Sequence, residues 1–148
     1  VSNAAKRKGT AWESALVAYL AAVFAGRHGL APRRVAQSGA LDTGDLHGIS
    51  PFVAQAKSYA NLADGLRLGL EGAEVQRVRA GEDYGVAFVK RVRKPVALGY
   101  AVTTIATWAR LVLRLRSAEA LLQQNAPEAF DRHLAEAVVG AEGAQQDG

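Results

Sequence analysis

Two groups in this sequence have residue types that could do chemistry: the carboxylate of Glu13, and the set Asp45, Gln55 and Lys57, whose types suit hydrolysis of a phosphate ester. The set lies in Gly44-Asp45-Leu46-His47-Gly48-Ile49-Ser50-Pro51-Phe52-Val53-Ala54-Gln55-Ala56-Lys57, where two short apolar runs flank a Ser-Pro turn and read as a β-hairpin. Side chains two apart on a strand share a face, so Gln55 and Lys57 point one way while Ala54 and Ala56 point the other. With the turn centred near Ser50, Asp45 falls across from Gln55. A carboxylate, an amide oxygen and an ammonium then converge. Asp45, the Gln55 side-chain oxygen and the Ala56 carbonyl are the hard oxygen donors that a divalent ion takes. Lys57 would orient an attacking water or offset the charge that develops on the phosphoryl oxygens. His28, His47 and His133 show no ligand spacing, and His47 is the one near this set. From spacing alone, a solvated hairpin face with three ordinary polar residues is the plainer account.

Glu13 lies on a predicted helix. Trp12, Leu16, Tyr19, Leu20, Val23 and Phe24 recur at helical spacing, which predicts a helix from about Thr10 to Ala25. At roughly 100° per residue, Glu13 falls at the flank of the buried arc. A capping box, with Thr10 as N-cap and Glu13 reaching back to its amide, is the simpler account of Glu13 taken by itself.

The remaining elements follow from periodicity and turn residues. Arg33 to Gln37 reads as a short strand, then the hairpin strands Gly44–Ile49 and Phe52–Lys57. Leu62, Leu66, Leu70 and Val75 predict a second helix interrupted by Gly65, Gly69 and Gly72. Gly85 to Val92 and Leu98 to Thr104 read as two more strands, joined by a basic turn at Lys90-Arg91-Val92-Arg93-Lys94-Pro95. Ala106 to Gln124 is a third helix. Asn125 with Glu128 reads as a second capping box, opening a last helix through Phe130, Leu134 and Val138 that ends at Gly140. The order α-β-β-β-α-β-β-α-α predicts an α/β fold in which a mixed central sheet carries helices on its faces. We expect one domain over 1–140 and a disordered tail over 141–148, where apolar period is lost.

Composition sets the outer bounds. The chain has 148 residues, 49% hydrophobic and 22% charged, which excludes wholesale disorder and fibrous classes. Its net charge of +4 permits a polyanionic partner. The absence of cysteine excludes disulfides, thiolate metal sites and cysteine nucleophiles. Lys6-Arg7-Lys8 before the apolar stretch Ala15–Ala25 has the outline of a signal peptide, but Glu13 and the helical spacing argue for a core helix. The longest uncharged run, Pro95 to Ala109, is shorter than the roughly 20 residues of a membrane helix, so a soluble protein is expected. Ser2-Asn3-Ala4 resembles a cloning remnant, and no argument rests on it.

Taken in order, Lys8-Gly9-Thr10-Ala11-Trp12-Glu13, Ser38-Gly39-Ala40 with Asp42, Gly44-Asp45 and Gln55-Ala56-Lys57 resemble the PD-(D/E)xK nuclease superfamily. More narrowly, they are similar to the archaeal and phage Holliday-junction resolvases. The resemblance spans about Lys6 to Leu115. It implies a restriction-endonuclease-like core, with Glu13 as an outer metal or water ligand, Asp45 as the direct metal ligand and Lys57 as the catalytic lysine. Gly44 stands where many members carry proline. Gln55 stands where glutamate is usual, which removes one negative charge from the metal site, and Asp42 is placed to compensate. Mg²⁺ is the implied ion, with Mn²⁺ as a substitute. Lys6, Arg7, Lys8, Arg33, Arg34, Lys90, Arg91, Arg93 and Lys94 are the implied DNA-binding residues, neutralising phosphates on either side of the cut. A junction presents two symmetric strands, so a homodimer acting on branched DNA is expected, in the cytoplasm of a bacterial host as a phage or prophage product. The alternatives are another repair or restriction nuclease, or a non-catalytic DNA-binding module with a decayed site.

Overall fold

The helical spacing of Trp12, Leu16, Leu20 and Phe24 produces a helix, but one longer than the sequence predicts. In the computed structural model, which describes residues 3–35 and 43–143, α1 runs over Asn3–Phe24. Thr10 is therefore inside the helix, where its amide already has an intrahelical partner, and the capping box expected with Glu13 does not form. The cause is Ala4 to Lys8, a run of good helix formers that carries the helix back through Gly9.

The chain divides into two compact units, residues 1–104 and 105–148. The first holds α1, β1 (Arg33–Arg34), β2 (Leu46–Ile49), β3 (Phe52–Lys57), α2 (Leu62–Ala80), β4 (Tyr84–Val89) and β5 (Tyr100–Val102). The five strands form one mixed sheet in the order β1-β2-β3-β4-β5. β1, β2 and β3 pair antiparallel, β3 and β4 pair parallel across the α2 crossover, and β5 returns antiparallel to β4. The expected α/β class and element order are observed. β1 is shorter than expected among the described residues, and the rest of the segment to Gln37 lies largely outside them.

The sheet is covered on both faces, and the faces differ in character. On one, Trp12 and Leu16 of α1 bury against Leu46, Ile49, Ala54 and Val86, with Phe52, Ala56 and Phe88 packed around them. The Trp12 indole N–H donates to the Phe88 carbonyl at 3.0 Å, which fixes α1 over the end of β4. On the other face lies α2, and its leucines are not what it buries. Gly65, Gly69, Ala73 and Gln76 are buried while Leu62, Leu68 and Val75 are exposed. The small residues bring the helix backbone against the sheet: a Cβ built on Gly69 would sit 3.0 Å from the Ala87 Cβ and 3.1 Å from the Lys57 Cγ. Asn61 caps α2, its side-chain oxygen accepting from the Ala63 amide at 3.0 Å, and Gly81 in the left-handed conformation ends it.

The second unit is a pair of helices, α3 (Ile105–Asn125) and α4 (Pro127–Gly143). Asn125 is the last residue of α3, its amide donating to the Leu121 carbonyl at 2.8 Å. It therefore does not cap α4, which begins on Pro127, a residue whose missing N–H and fixed φ suit the first helical position. α4 passes the expected stop at Gly140 and covers the start of the predicted tail. Among the described residues no helix is long and apolar enough to cross a membrane.

Candidate active site

Asp45 and Gln55 meet across the β2–β3 hairpin. The register pairs Leu46 with Ala54, and the Asp45 amide donates to the Ala54 carbonyl at 2.9 Å, so Asp45 stands opposite Gln55. Both are buried, at 6% and 5% exposure, which obliges their polar atoms to find partners. They find each other: the Gln55 Nε2 donates to Asp45 Oδ2 at 3.0 Å, and the Ala56 amide donates to the same oxygen at 2.7 Å. Gly44, with φ of 110°, sets the approach of the chain to Asp45. A Cβ there would lie 2.6 Å from Val53 Cγ2, so glycine is required sterically as well as by the backbone.

Lys57 shares the α2 face with Gln55, as the strand parity predicts. Its stem lies along α2 beside Gly69. It is half-buried, and no carboxylate among the described residues pairs with its ammonium. The Gln55 carboxamide is seated against Gly72, with its Cδ 3.1 Å from the position a Cβ would take and its Oε1 closer still. Gly69 and Gly72 thus shape the two site side chains. The sequence showed them as interruptions of a helix, and their spacing of three residues on the face that carries Gly65 and Ala73 was the available signal.

Around this trio the sheet end gathers cations. β3 and β4 run parallel with Lys57 opposite Val89, and the Lys90 amide donates to the Lys57 carbonyl at 2.9 Å, so the basic turn begins beside Lys57. Lys90 lies over the Trp12 ring at 5.9 Å and Arg91 over the Tyr100 ring at 5.1 Å, which holds both against α1 and β5. Arg93 and Lys94 are exposed in the same turn. On the other side, Arg34 pairs with Leu46 in the sheet, and the Val35 amide donates to the Asp45 carbonyl at 3.0 Å. Arg33 is exposed on β1. Arg7 and Lys8 are exposed on α1, about one turn before Trp12, and Lys6 belongs to the same helix.

Glu13 pairs with Arg34. α1 covers the opposite face from Gln55 and Lys57, and the Glu13 Oε2 lies 2.8 Å from the guanidinium Nη2. Asp42 lies outside the described residues. His47 is tied locally, its Nε2 2.8 Å from the Thr43 carbonyl. Among the described residues no three histidine, aspartate or glutamate side chains gather as a metal-binding group.

No protein-family model matches the sequence, and neither a curated protein nor a solved structure matches it. The function must therefore be argued from this sheet end.

The donor set there can be tested against a hard divalent ion. Oδ2 of Asp45 accepts from both the Gln55 amide and the Ala56 N–H. The carbonyl of Ala56 lies on the same strand edge as its amide, the edge that faces Asp45. One carboxylate and one carbonyl suit Mg²⁺, which binds through one or two carboxylates and keeps several waters. Gln55 as arranged offers Asp45 its nitrogen, with its oxygen turned to Gly72.

Proposed function

We propose that the protein is a metal-dependent, structure-selective DNA endonuclease that hydrolyses phosphodiester bonds, of the PD-(D/E)xK kind and similar to a Holliday-junction resolvase. The observation that carries this reading is that Asp45, Gln55 and Lys57 stand on one face of the hairpin, with Asp45 hydrogen-bonded to Gln55 and the basic turn at Lys90 beginning beside Lys57. The order α-β-β-β-α-β, with an antiparallel β1-β2-β3 meander and a parallel β3–β4 crossover, supports a restriction-endonuclease-like core. Asp45 and the Ala56 carbonyl would hold Mg²⁺ or Mn²⁺. Such an ion polarises a phosphoryl oxygen and lowers the pKa of a bound water.

The chain's own residues supply the rest. Asp45 is held at Oδ2 by the Ala56 amide and Gln55. Lys57 brings an ammonium with no counter-carboxylate among the described residues, so its charge is free to meet the negative charge that builds on phosphate. Arg34, in contrast, shares its charge with Glu13. Lys90, Arg91, Arg93 and Lys94, with Lys6, Arg7, Lys8 and Arg33, would neutralise the strands on either side. The substrate we favour is a four-way junction cut by a homodimer in a bacterial cytoplasm.

The deciding experiment is cleavage of a four-way junction and of linear duplex of the same arms, with Mg²⁺ and with EDTA. Junction-selective, Mg²⁺-dependent cleavage that Asp45→Asn abolishes is expected. Equal cutting of duplex would make it a repair or restriction nuclease. Binding of DNA with no cleavage under either condition would leave a DNA-binding module.

A further inference from the structure

Gln55 occupies the position where the resemblance implies a metal-ligating carboxylate, yet its surroundings assign it another task. An ionised carboxylate only accepts hydrogen bonds, so the group that Gln55 turns to Asp45 must be its NH₂. The 3.0 Å bond from Nε2 to Oδ2 joins two side chains that are each more than nine-tenths buried. At the other end of the carboxamide, Gly72 of α2 leaves the space that the oxygen fills: a Cβ on Gly72 would stand 3.1 Å from the Gln55 Cδ and would overlap Oε1. The amide is thus clamped at both ends. Turning its oxygen toward Asp45 would put two acceptors face to face in a buried setting and leave Oδ2 with the Ala56 amide alone.

We propose that Gln55 is a positioning residue, which holds the Asp45 carboxylate through its NH₂ instead of lending an oxygen to a metal, and that Gly72 is the residue that makes this orientation possible. The proposal rests on the nuclease reading for its purpose, since it is Asp45 that would meet the ion. It does not rest on that reading for its geometry. A glutamate here would face Asp45 as a like charge and would need a cation between the two. Glutamine gives a carboxylate that is oriented before any ion arrives, the arrangement by which outer hydrogen-bond partners tune a metal ligand.

Two measurements test this, and neither needs cleavage. In the ¹⁵N-labelled protein, one Nε2 proton of Gln55, assigned by its loss in Gln55→Glu, is expected to be protected from hydrogen exchange in EDTA. It should stay protected when Mg²⁺ is added. Loss of that protection on adding Mg²⁺ would mean the amide inverts to bind the ion and would overturn the proposal. The second measurement is Mn²⁺ affinity in wild type, Gln55→Ala, Gly72→Ala and the double variant. Each single change should weaken Mn²⁺ binding by about 10- to 100-fold, the range for loss of a partner to a metal ligand. The double variant should be no weaker than Gln55→Ala alone, because Gly72 acts only through Gln55. Additive losses would refute the role given to Gly72, and the exchange measurement on wild type stands even if Gly72→Ala fails to fold. Should the protein cleave no DNA while the coupling holds, the nuclease reading fails and the clamp remains; cleavage with additive losses gives the reverse.

Discussion

Replacing Lys57 with methionine isolates what its ammonium does. Methionine keeps an unbranched stem, so the space beside Gly69, where a Cβ would lie 3.1 Å from the Lys57 Cγ, stays filled. The charge is lost and the packing is not. No ion pair among the described residues is broken, so the cost to folding should fall within about 0.5 kcal/mol, as for substitutions that remove no specific contact. The cost to turnover is of a different order. A unit charge about 4 Å from a phosphoryl oxygen at an effective dielectric of about 20 is worth roughly 4 kcal/mol. Removing one preorganised donor from a developing oxyanion typically costs about 100- to 1,000-fold in rate, or roughly 3–4 kcal/mol. Lys57→Met should therefore lower the single-turnover cleavage rate at saturating Mg²⁺ by at least about 100-fold. Junction affinity measured in Ca²⁺ should change less than about threefold, since one cation among several contributes little to ground-state binding. Cleavage within threefold of wild type would remove Lys57 from the chemistry. A loss of affinity equal to the loss of rate would reassign it to DNA binding.

Asp45→Ala strands two donors, the buried Gln55 NH₂ and the part-buried Ala56 amide, at about 1–3 kcal/mol each if no water reaches them. Urea unfolding should show about 2–6 kcal/mol lost together with Mn²⁺ binding, and a loss below about 0.5 kcal/mol would deny these bonds a structural role. Arg93→Ala with Lys94→Ala should flatten the dependence of log affinity on log salt by about 1.8 for duplex arms if both touch phosphate, read by fluorescence anisotropy across salt concentrations. Glu13→Gln breaks an ion pair with Arg34 whose side chains are 20% and 41% exposed, so the thermal midpoint should record a change of less than about 1 kcal/mol. A larger fall would show that the pair holds α1 to β1.

The hairpin was legible in part: strand parity puts Gln55 and Lys57 on one face, but the Ile49–Phe52 pairing around Ser50-Pro51 would by itself set Asp45 against Ala56, and an irregularity in register between Leu46 and Ile49 brings it opposite Gln55. The trailing helices were legible for a similar reason, a sustained 3.6-residue period. What failed were judgements that depended on partners distant in sequence. α2 was read by its leucines, but a helix covering the centre of a sheet is placed by how closely its backbone can approach, and Gly65, Gly69 and Ala73 allow that approach while Leu62 and Leu68 remain in solvent. Glu13 was read as a cap or a metal ligand, and neither account contains Arg34, which reaches it from 21 residues away. Ion pairs of this kind leave no period in a sequence. The Thr10 and Asn125 caps failed because a capping box is a local pattern, and a flanking run of helix formers or a Pro at the next helix start overrides it.

The glutamine at position 55 joins these threads. In the sequence it is a missing charge, a departure to be compensated by Asp42. In the fold it is one member of a chain of contacts that runs from Gly72 through the carboxamide to Asp45 and the Ala56 amide. Each member constrains the next: Gly72 admits the oxygen, the oxygen's placement turns the nitrogen to Asp45, and that nitrogen lets a buried carboxylate stay oriented without a cation. A carboxylate at 55 would make the pair dependent on a divalent ion for its stability, since two like charges about 3 Å apart repel unless one is protonated or an ion intervenes. The two designs therefore differ most when metal is scarce. Wild-type protein in EDTA should melt within about 1 °C of the Mg²⁺-loaded form at low Mg²⁺, where binding adds little stability, whereas Gln55→Glu should melt lower in EDTA and recover with Mg²⁺ or Ca²⁺. If Gln55→Glu in EDTA is as stable as wild type, the carboxamide is not what holds Asp45 in place.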